Sequence, residues 1–120
     1  MKTTEYLMAR ELCAFEPDKK ISFSPVMPGS DNIIMLYNGV PFGSFKLLPY
    51  SNGDVYFYEF EIAVEYRNQG IGTAVFPTIL NYCFDRGFKK IRLQVSSANP
   101  AALAIYSKYE FEVIESVESE

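Results

Sequence analysis

Nine consecutive residues in the middle of the chain have the composition of a phosphate-binding turn. Residues 65–73 are EYRNQGIGT, and they follow an apolar segment and precede a stretch with helical spacing. Gly70 and Gly72 would let the backbone turn tightly and approach a ligand closely. The helix that follows would begin with unpaired N–H groups at the positive end of its dipole, which suits phosphate oxygens. A plain glycine-rich connection between a strand and a helix would have the same composition.

Two well-known phosphate-binding motifs do not fit this segment. A Walker loop requires Lys and then Ser or Thr after its last glycine, whereas Gly72 is followed by Thr73 and Ala74. A dinucleotide fingerprint requires Gly or Ala three residues after its second glycine, where this chain has Val75. The ligand of the turn therefore has to be inferred from other residues.

Four side chains outside the turn could take part in chemistry. Glu59 and Glu61 alternate onto one face of a predicted strand, where either could accept a proton or simply face solvent. Asn99 precedes Pro100 and is suited to capping a helix, a role that could be its only one. The Tyr106 hydroxyl could donate a proton, although a lone tyrosine at such a position more often packs in a core.

The absence of histidine removes several enzyme classes. A chain with no histidine has no Ser-His-Asp or Cys-His system, so a general base must be a carboxylate, a tyrosine, a lysine, a terminus or water. Cys13 and Cys83 form neither a disulfide framework nor a zinc site, and we expect two ordinary buried thiols and no metal.

Composition indicates one globular domain over residues 1–120. Hydrophobic residues make up 48 % of the chain, and no repeat or low-complexity segment occurs. A net charge of −4 argues against nucleic acid and anionic membranes as partners. Because the first residues lack the apolar core of a signal peptide, and because no stretch is apolar enough to span a bilayer, we expect a cytoplasmic protein.

The first third of the chain has mixed signals. Leu7, Met8, Leu12 and Phe15 are near helical spacing and predict a helix over residues 4–15, although residues 6–8 could equally begin a strand. Residues 17–32 are rich in Pro and Gly and predict an irregular segment with at most one short strand.

The remaining elements have clearer signals. Asn38-Gly39 predicts a hairpin between strands at residues 33–37 and 42–48. A turn at residues 51–54 leads to a third strand, residues 55–64, with strict alternation between a core face and a face that becomes acidic. The even-numbered residues from Tyr56 to Val64 share one face, and Val55, Phe57, Glu59, Glu61 and Ala63 share the other. A helix should run from Ile71 to about residue 86, kinked at Pro77 and stopped by Gly87. A strand at residues 89–95, a helix at 101–109, a strand at 111–114 and an acidic tail complete the prediction.

This order of elements resembles the GNAT superfamily of acetyl-CoA-dependent N-acetyltransferases. Residues 67–72 (RNQGIG) are similar to the family's R/Q-x-x-G-x-G/A pyrophosphate loop, and residues 62–66 (IAVEY) to its I-A-P-E-Y segment. Residues 38–43 (NGVPFG) resemble the hairpin before the family's third strand. Asn99, Ala102, Tyr106 and Phe111 have the spacing of its N-x-x-A-x-x-x-Y-x-x-x-G-F signature, with Glu110 in place of the glycine.

The resemblance implies an α+β fold: a single GNAT-like domain with a mixed, mostly antiparallel sheet flanked by helices. It also implies a domain shortened at both ends. Only nine residues follow Phe111, and the N-terminal region is too short for two helices that normally cover the acceptor side. A glycine-type left-handed cap at Glu110 would cost roughly 1 kcal/mol, so the second helix could end differently.

Roles for individual residues follow from the same resemblance. Backbone N–H groups of the loop would bind the CoA pyrophosphate, the strand before it would pair with the pantetheine arm, and Asn99 would bond that arm. Tyr106 would protonate the departing thiolate, and Glu61 or Glu59 would be the base. The residues implied in binding acetyl-CoA are Ile62, Ala63, Val64, Arg67, Asn68, Gln69, Gly70, Ile71, Gly72, Thr73 and Asn99.

The implied function is transfer of the acetyl group of acetyl-CoA to an amine by direct attack. The acceptor could be a small molecule or a peptide, and acidic residues near the site mildly favour a cationic amine. Two alternatives stay open: a CoA-binding sensor or interaction subunit without catalysis, and a structural domain that binds no CoA. A homodimer that completes a shortened acceptor wall is a further expectation.

Overall fold

A seven-stranded sheet with two helices on one face forms the fold in the computed structural model, which describes residues 2–119. Phe76 of the first helix contacts both Phe57 in the sheet and Tyr106 of the second helix, so both helices cover the same face. The strands are β1 (Thr3–Glu11), β2 (Ile21–Pro25), β3 (Asn32–Tyr37), β4 (Val40–Pro49), β5 (Asp54–Ile62), β6 (Lys90–Ser96) and β7 (Glu112–Ser119). The helices are α1 (Ile71–Asp85) and α2 (Pro100–Lys108), and one 3₁₀ turn covers Val64–Tyr66.

The sheet is mixed and mostly antiparallel, as predicted, with the strand order β2-β3-β4-β5-β6-β1-β7. Only β5 and β6 run parallel, and they pair over residues 54–56 and 90–92 alone. Among the strands of residues 2–119, the second half of β5 therefore has no partner on the β6 side. The gap lies where β5 leads into the glycine turn, and this opening positions the site described below.

The predicted N-terminal helix is wrong, because residues 3–11 form the strand β1. This strand lies between β6 and β7 and is antiparallel to both. Met8 and Ala9 are both buried, one toward each face. Pairing with two strands that are distant in sequence outweighs the local helical spacing. The alternative prediction, a strand at residues 6–8, is confirmed in type, although the strand begins earlier, at Thr3.

The segment between β1 and β2 contains no helix in the structure, in agreement with a shortened N-terminal region. It runs beside α1 instead. Its backbone N–H groups at Phe15 and Asp18 donate to the side chains of Asn81 and Thr78, at 3.0 and 2.9 Å. These bonds satisfy two buried polar side chains of α1.

The strict alternation predicted for the third strand fails because β5 has a bulge. Glu59 has a φ of +50°, and the pairing with β4 shifts between Ser44 and Lys46. Before the bulge, Val55 and Phe57 are buried; after it, Phe60 packs against the core. Val55 and Phe57 therefore belong to the core and do not share a face with the acidic side chains. The strand also ends at Ile62, two residues earlier than predicted.

Turn and capping residues in the sequence correctly predicted where several other elements begin or end. The hairpin has Asn38 and Gly39 at φ values of +49° and +82°, and Gly87 follows α1 at +88°. The Asn99 side chain caps α2 by accepting the Ala102 N–H at 3.2 Å. The strand β7 extends through most of the predicted acidic tail.

Of the two cysteines expected to be buried, Cys83 is buried, but Cys13 is exposed, because it lies in the segment just after β1. No helix in residues 2–119 has the length and apolarity needed to cross a membrane.

The end of α2 does resemble a glycine-type cap, although Glu110 occupies it. Glu110 has a φ of +66°, its N–H bonds to the Ser107 carbonyl at 3.1 Å, and the Phe111 N–H bonds to the Tyr106 carbonyl at 3.0 Å. This pair of bonds is the Schellman motif, and the Tyr106 and Phe111 rings supply its apolar contact at 5.7 Å. The expectation of a different helix end is therefore wrong: the neighbouring bonds hold glutamate in the left-handed conformation.

Candidate active site

A cleft of about 500 Å³ opens between the glycine turn, the end of β5 and one side of α2. It lies at the gap where β5 and β6 are no longer paired. The residues lining it are Phe60, Glu61, Ile62, Tyr66, Arg67, Asn68, Gly70, Ile71, Gly72, Thr73, Ala101, Ala104, Ile105 and Lys108.

The helix α1 begins in this cleft, and no side chain in the described part of the chain caps it. Gly70 is its N-cap residue, and the first turn contains no acidic side chain. The first helical bond is donated by Ala74 to the Gly70 carbonyl at 3.0 Å. The N–H groups of Ile71, Gly72 and Thr73 therefore have no acceptor within the helix. Together with the helix dipole they can bind an anion.

The two glycines of the turn serve different purposes. Gly70 needs a φ of +75°, but a Cβ atom there would meet nothing within 4 Å. A Cβ atom on Gly72 would lie 3.4 Å from Ile105 Cδ1 and 3.9 Å from Ile62 Cγ1. Gly72 therefore borders the space between α1 and α2, which a Cβ atom would enter at ordinary contact distances, whereas Gly70 makes the turn itself.

Arg67 connects the turn to the end of β5. Its Nε donates to the Ile62 carbonyl at 2.8 Å, and its Nη2 lies 3.0 Å from Glu61 Oε1. Both charged side chains are about half or more exposed, at 48 % and 68 %. The pair is consequently weak and free to exchange partners with a charged ligand.

Part of the predicted binding set lies outside the cleft lining. The Ala63 N–H donates to the Phe42 carbonyl at 2.9 Å, so this N–H belongs to the sheet. Val64 is in the 3₁₀ turn and is 72 % exposed. The Gln69 amide donates to the Glu65 carbonyl at 3.3 Å. Asn99 caps α2 with its oxygen, and its amide NH₂ has no partner within residues 2–119.

Tyr106 is a core residue whose hydroxyl oxygen is not fully buried. The residue is 7 % exposed, and its ring centroid lies 5.5 Å from that of Phe76. Burial raises the pKa of Tyr106 to about 12. Its hydroxyl has no hydrogen bond within residues 2–119, where every fully buried side-chain polar atom has a partner, so the hydroxyl oxygen retains accessible surface. Tyr106 does not line the cleft itself.

The two candidate carboxylates differ in their surroundings. Glu61 lines the cleft beside Arg67. Glu59, at the bulge, forms an ion pair with Lys46 at 2.7 Å and lies outside the cleft lining. Of the two, Glu61 is therefore the one close to the loop.

The sequence prediction missed the wall that α2 contributes. Ala101, Ala104, Ile105 and Lys108 follow the i, i+3, i+4, i+7 spacing of one helix face. This spacing was visible in the sequence, but nothing local showed that this face borders the turn. Lys108 brings a positive charge to the cleft opposite the uncapped start of α1.

Comparison with known proteins gives a consistent result. Residues 4–111 match the model of the acetyltransferase (GNAT) family. A stretch of 51 residues is 43 % identical to N-alpha-acetyltransferase 50 of Danio rerio, covering 42 % of this chain and 30 % of that protein. The chain thus spans less than a third of this curated relative, and between 49 % and 63 % of several longer solved structures.

Two shorter solved structures share the fold over most of their length. A GNAT family acetyltransferase from Elizabethkingia anophelis with acetyl-CoA bound has a TM-score of 0.67 at 17 % identity, covering 82 % of this chain and 80 % of that one. Naa50 of Arabidopsis thaliana in complex with the bisubstrate analogue CoA-Ac-MVNAL has a TM-score of 0.60 at 20 % identity, covering 80 % and 85 %. The family match covers the sheet from the second residue of β1 through β6, leaves out all of β7, and includes both helices and the turn. The chain therefore belongs to the acetyltransferase (GNAT) family.

Proposed function

We propose that this protein transfers the acetyl group of acetyl-CoA to an amine acceptor. The observation that carries the proposal is the uncapped start of α1 in a cleft that also contains the end of β5. Family membership supports the same activity. The structural neighbours of this chain include one protein with acetyl-CoA bound and one with the bisubstrate analogue CoA-Ac-MVNAL. Their sequence identities to this chain are low, so they support the fold alone.

The residues of the cleft fit a CoA-type ligand. The N–H groups of Ile71, Gly72 and Thr73 would hold the pyrophosphate, and Lys108 would contribute charge from the opposite wall. A side chain at Gly72 would narrow the space that such a ligand needs. The Ile62 carbonyl, now bonded to Arg67, would become available to a pantetheine amide when Arg67 turns toward the phosphates. Acetyl-CoA supplies the thioester that an amine can attack directly.

Two side chains would move the protons. Glu61 would accept the proton that the attacking amine nitrogen loses as its bond to the acetyl carbon forms, directly or through water. Tyr106 would donate its hydroxyl proton to the sulfur that leaves as the carbon–sulfur bond breaks. The raised pKa of Tyr106 supports the second role, because the hydroxyl stays protonated at neutral and moderately alkaline pH.

A ligand titration tests the binding half of the proposal. Acetyl-CoA and CoA should each raise the melting temperature in a concentration-dependent way, whereas ATP at equal concentration should have a smaller effect. ATP provides phosphates without the pantetheine arm. Absence of a shift with either CoA compound at millimolar concentration would overturn the proposal.

A pair of glycine variants tests whether the loop is the binding site. Gly70 and Gly87 lie at opposite ends of α1, both have positive φ, and a Cβ atom added to either would meet nothing within 4 Å. The change to Asp imposes similar backbone strain at both sites but puts a negative charge in the cleft only at residue 70. We expect Gly70→Asp to abolish CoA binding in calorimetry and Gly87→Asp to retain it; equal loss in both variants would contradict a phosphate site at the turn.

The acceptor and the assembly are further parts of the proposal. Release of free thiol from acetyl-CoA, measured across peptides with free N-termini, polyamines and amino acids, would identify the acceptor class. A net charge of −4 favours cationic amines.

A homodimer is supported by the edge strand β7, whose Val113, Ile114 and Val117 side chains are about half exposed. A monomer in light scattering that has full activity would contradict it.

A CoA-binding subunit without catalysis is the second candidate. It is favoured by one observation: Tyr106 packs among rings and does not line the cleft. Such a subunit would bind CoA in calorimetry and release no thiol with any amine of the panel.

A further inference from the structure

The first turn of α1 contains a carbonyl group that the helix itself cannot pair. Pro77 lies inside α1 and has no backbone N–H. In an uninterrupted helix, that N–H would donate to the carbonyl four residues earlier, which is the Thr73 carbonyl. Thr73 lines the cleft, and its own N–H is one of the three that begin the helix. An unpaired carbonyl here would loosen the turn that the proposed function needs to be rigid.

A side chain from outside the helix supplies the missing donor. The Tyr109 hydroxyl donates to the Thr73 carbonyl oxygen at 2.9 Å in a partly buried position. The Tyr109 ring lies 5.6 Å from the ring of Phe76, the residue before the proline. The phenol thus takes the place of the amide that Pro77 lacks.

Tyr109 is itself held from two directions. Its backbone carbonyl accepts a bond from Arg10 Nη1 of β1 at 2.7 Å. Its own N–H bonds to the Ile105 carbonyl at 3.2 Å, and the Schellman closure that follows fixes the chain at Glu110 and Phe111. The hydroxyl is therefore presented from a backbone that is tied to both the sheet and α2.

We propose that Tyr109 is a positioning residue for the cofactor loop: its hydroxyl replaces the N–H absent at Pro77 and holds the first turn of α1 in the geometry that binds the CoA phosphates. This inference rests on the proposed function. Tyr109 does not line the cleft, and it acts on the ligand through the Thr73 peptide unit. The Pro77 and Tyr109 side chains are consequently a coupled pair, although they lie 32 positions apart in sequence.

The coupling can be tested with four proteins: the parent, Tyr109→Phe, Pro77→Ala and the double variant. In the parent background, Tyr109→Phe should raise the Kd for CoA about three- to tenfold, because one partly buried hydrogen bond is lost. Pro77→Ala restores a backbone N–H that can pair with Thr73, so in that background Tyr109→Phe should raise the Kd less than about twofold. Acetyl-CoA kinetics should show the effect in KM, with kcat nearly unchanged.

Tyr82→Phe is the matched control. This change removes from α1 a hydroxyl that has no hydrogen bond within residues 2–119, so the Kd for CoA should stay unchanged. Amide ¹H–¹⁵N shifts of Ile71, Gly72 and Thr73 give a second measure: Tyr109→Phe should move them in the parent background and much less in the Pro77→Ala background. The inference alone would be overturned if the parent binds CoA but Tyr109→Phe raises the Kd equally in both backgrounds. It would also be overturned if Tyr109→Phe changes the Kd in neither background. A parent that does not bind CoA would overturn the proposed function and the phosphate role with it.

Discussion

At the residue scale, Tyr106 is a core side chain for which we propose an acid role. Its ring is part of the aromatic cluster around Phe76, while its hydroxyl keeps accessible surface. Tyr106→Phe retains the ring and should leave CoA affinity unchanged, but it should lower kcat by about a hundredfold if the hydroxyl is the acid. Single-turnover and steady-state thiol release would measure this, with Tyr82→Phe as the control. Equal kcat values for variant and parent would refute the acid role.

The raised pKa of Tyr106 adds a pH signature. Because burial places the pKa at about 12, the hydroxyl remains protonated from pH 7 to pH 10. The parent should therefore show no loss of kcat in this interval from Tyr106 ionisation. A descending limb near pH 10 that disappears in Tyr106→Phe would show instead that the hydroxyl ionises at its ordinary value.

Lys108 is the charged residue among the four cleft residues of α2 that the sequence prediction did not name. It contributes a positive charge opposite the start of α1 and is exposed. Lys108→Ala should raise the Kd for CoA by about two- to fivefold at low ionic strength, and the difference should shrink at high salt, because exposed charge interactions are screened. Lys19→Ala, an exposed lysine outside the cleft, is the control. If both variants lose affinity equally, net charge is the cause and Lys108 has no specific role.

At the scale of elements, the end of α2 carries measurable strain. Glu110 holds a left-handed conformation that costs a residue with a side chain about 1–2 kcal/mol. Glu110→Gly should raise the free energy of unfolding by about 0.5–1 kcal/mol, since relief of strain outweighs the extra freedom of glycine in the unfolded chain. Urea denaturation would measure it. Glu112→Gly, in the strand β7, should instead destabilise by a similar amount; a destabilised Glu110→Gly would contradict the strain argument.

How far each element could be predicted depends on where its stabilising contacts lie in the sequence. The hairpin at Asn38 and the capped helix at Asn99 are specified by neighbouring residues, and both were predicted. The strand β1 depends on pairing with β6 and β7, more than 75 positions away in register, so local spacing gave the wrong element. The bulge at Glu59 depends likewise on β4. Its effect was to move Val55 and Phe57 from the predicted acidic face into the core.

The same distinction applies to the site. The turn residues from Arg67 to Thr73 could be named as candidates because their spacing is fixed within a single loop, and all of them except Gln69 line the cleft. Lys108 and Tyr109 could not be named from the sequence, since their contacts with the cleft and with Thr73 form only when α2 packs beside α1. Pro77 lies inside α1, as predicted, but the Tyr109 hydroxyl that donates to the Thr73 carbonyl lies across the fold.

At the scale of the whole molecule, the sheet links the first strand to the site. The strand β1 lies inside the sheet between β6 and β7, and its Arg10 bonds the Tyr109 carbonyl. Tyr109 in turn bonds Thr73 at the start of α1. Contacts that stabilise the fold therefore continue directly into the loop, so global stability and cofactor affinity should respond together to changes along this path.

Global stability should decrease in alkaline solution because of Cys83. Burial raises the pKa of this thiol from 9.0 to about 12, with nearby Arg86 opposing the shift. Above pH 9 the unfolded chain loses the proton that the folded chain keeps, so the contribution is complete below pH 9 and is lost as the pH rises toward 12. The free energy of unfolding should fall by about 1 kcal/mol between pH 8 and pH 10 from this group alone. Urea denaturation at both pH values would show it, and Cys83→Ala should be less stable at pH 8 but flatter in its pH dependence. The exposed Cys13 provides the control, since Cys13→Ala should leave the dependence of the unfolding free energy on pH as it is in the parent. If Cys83→Ala also shows the pH dependence of the parent, the alkaline loss of stability comes from other groups.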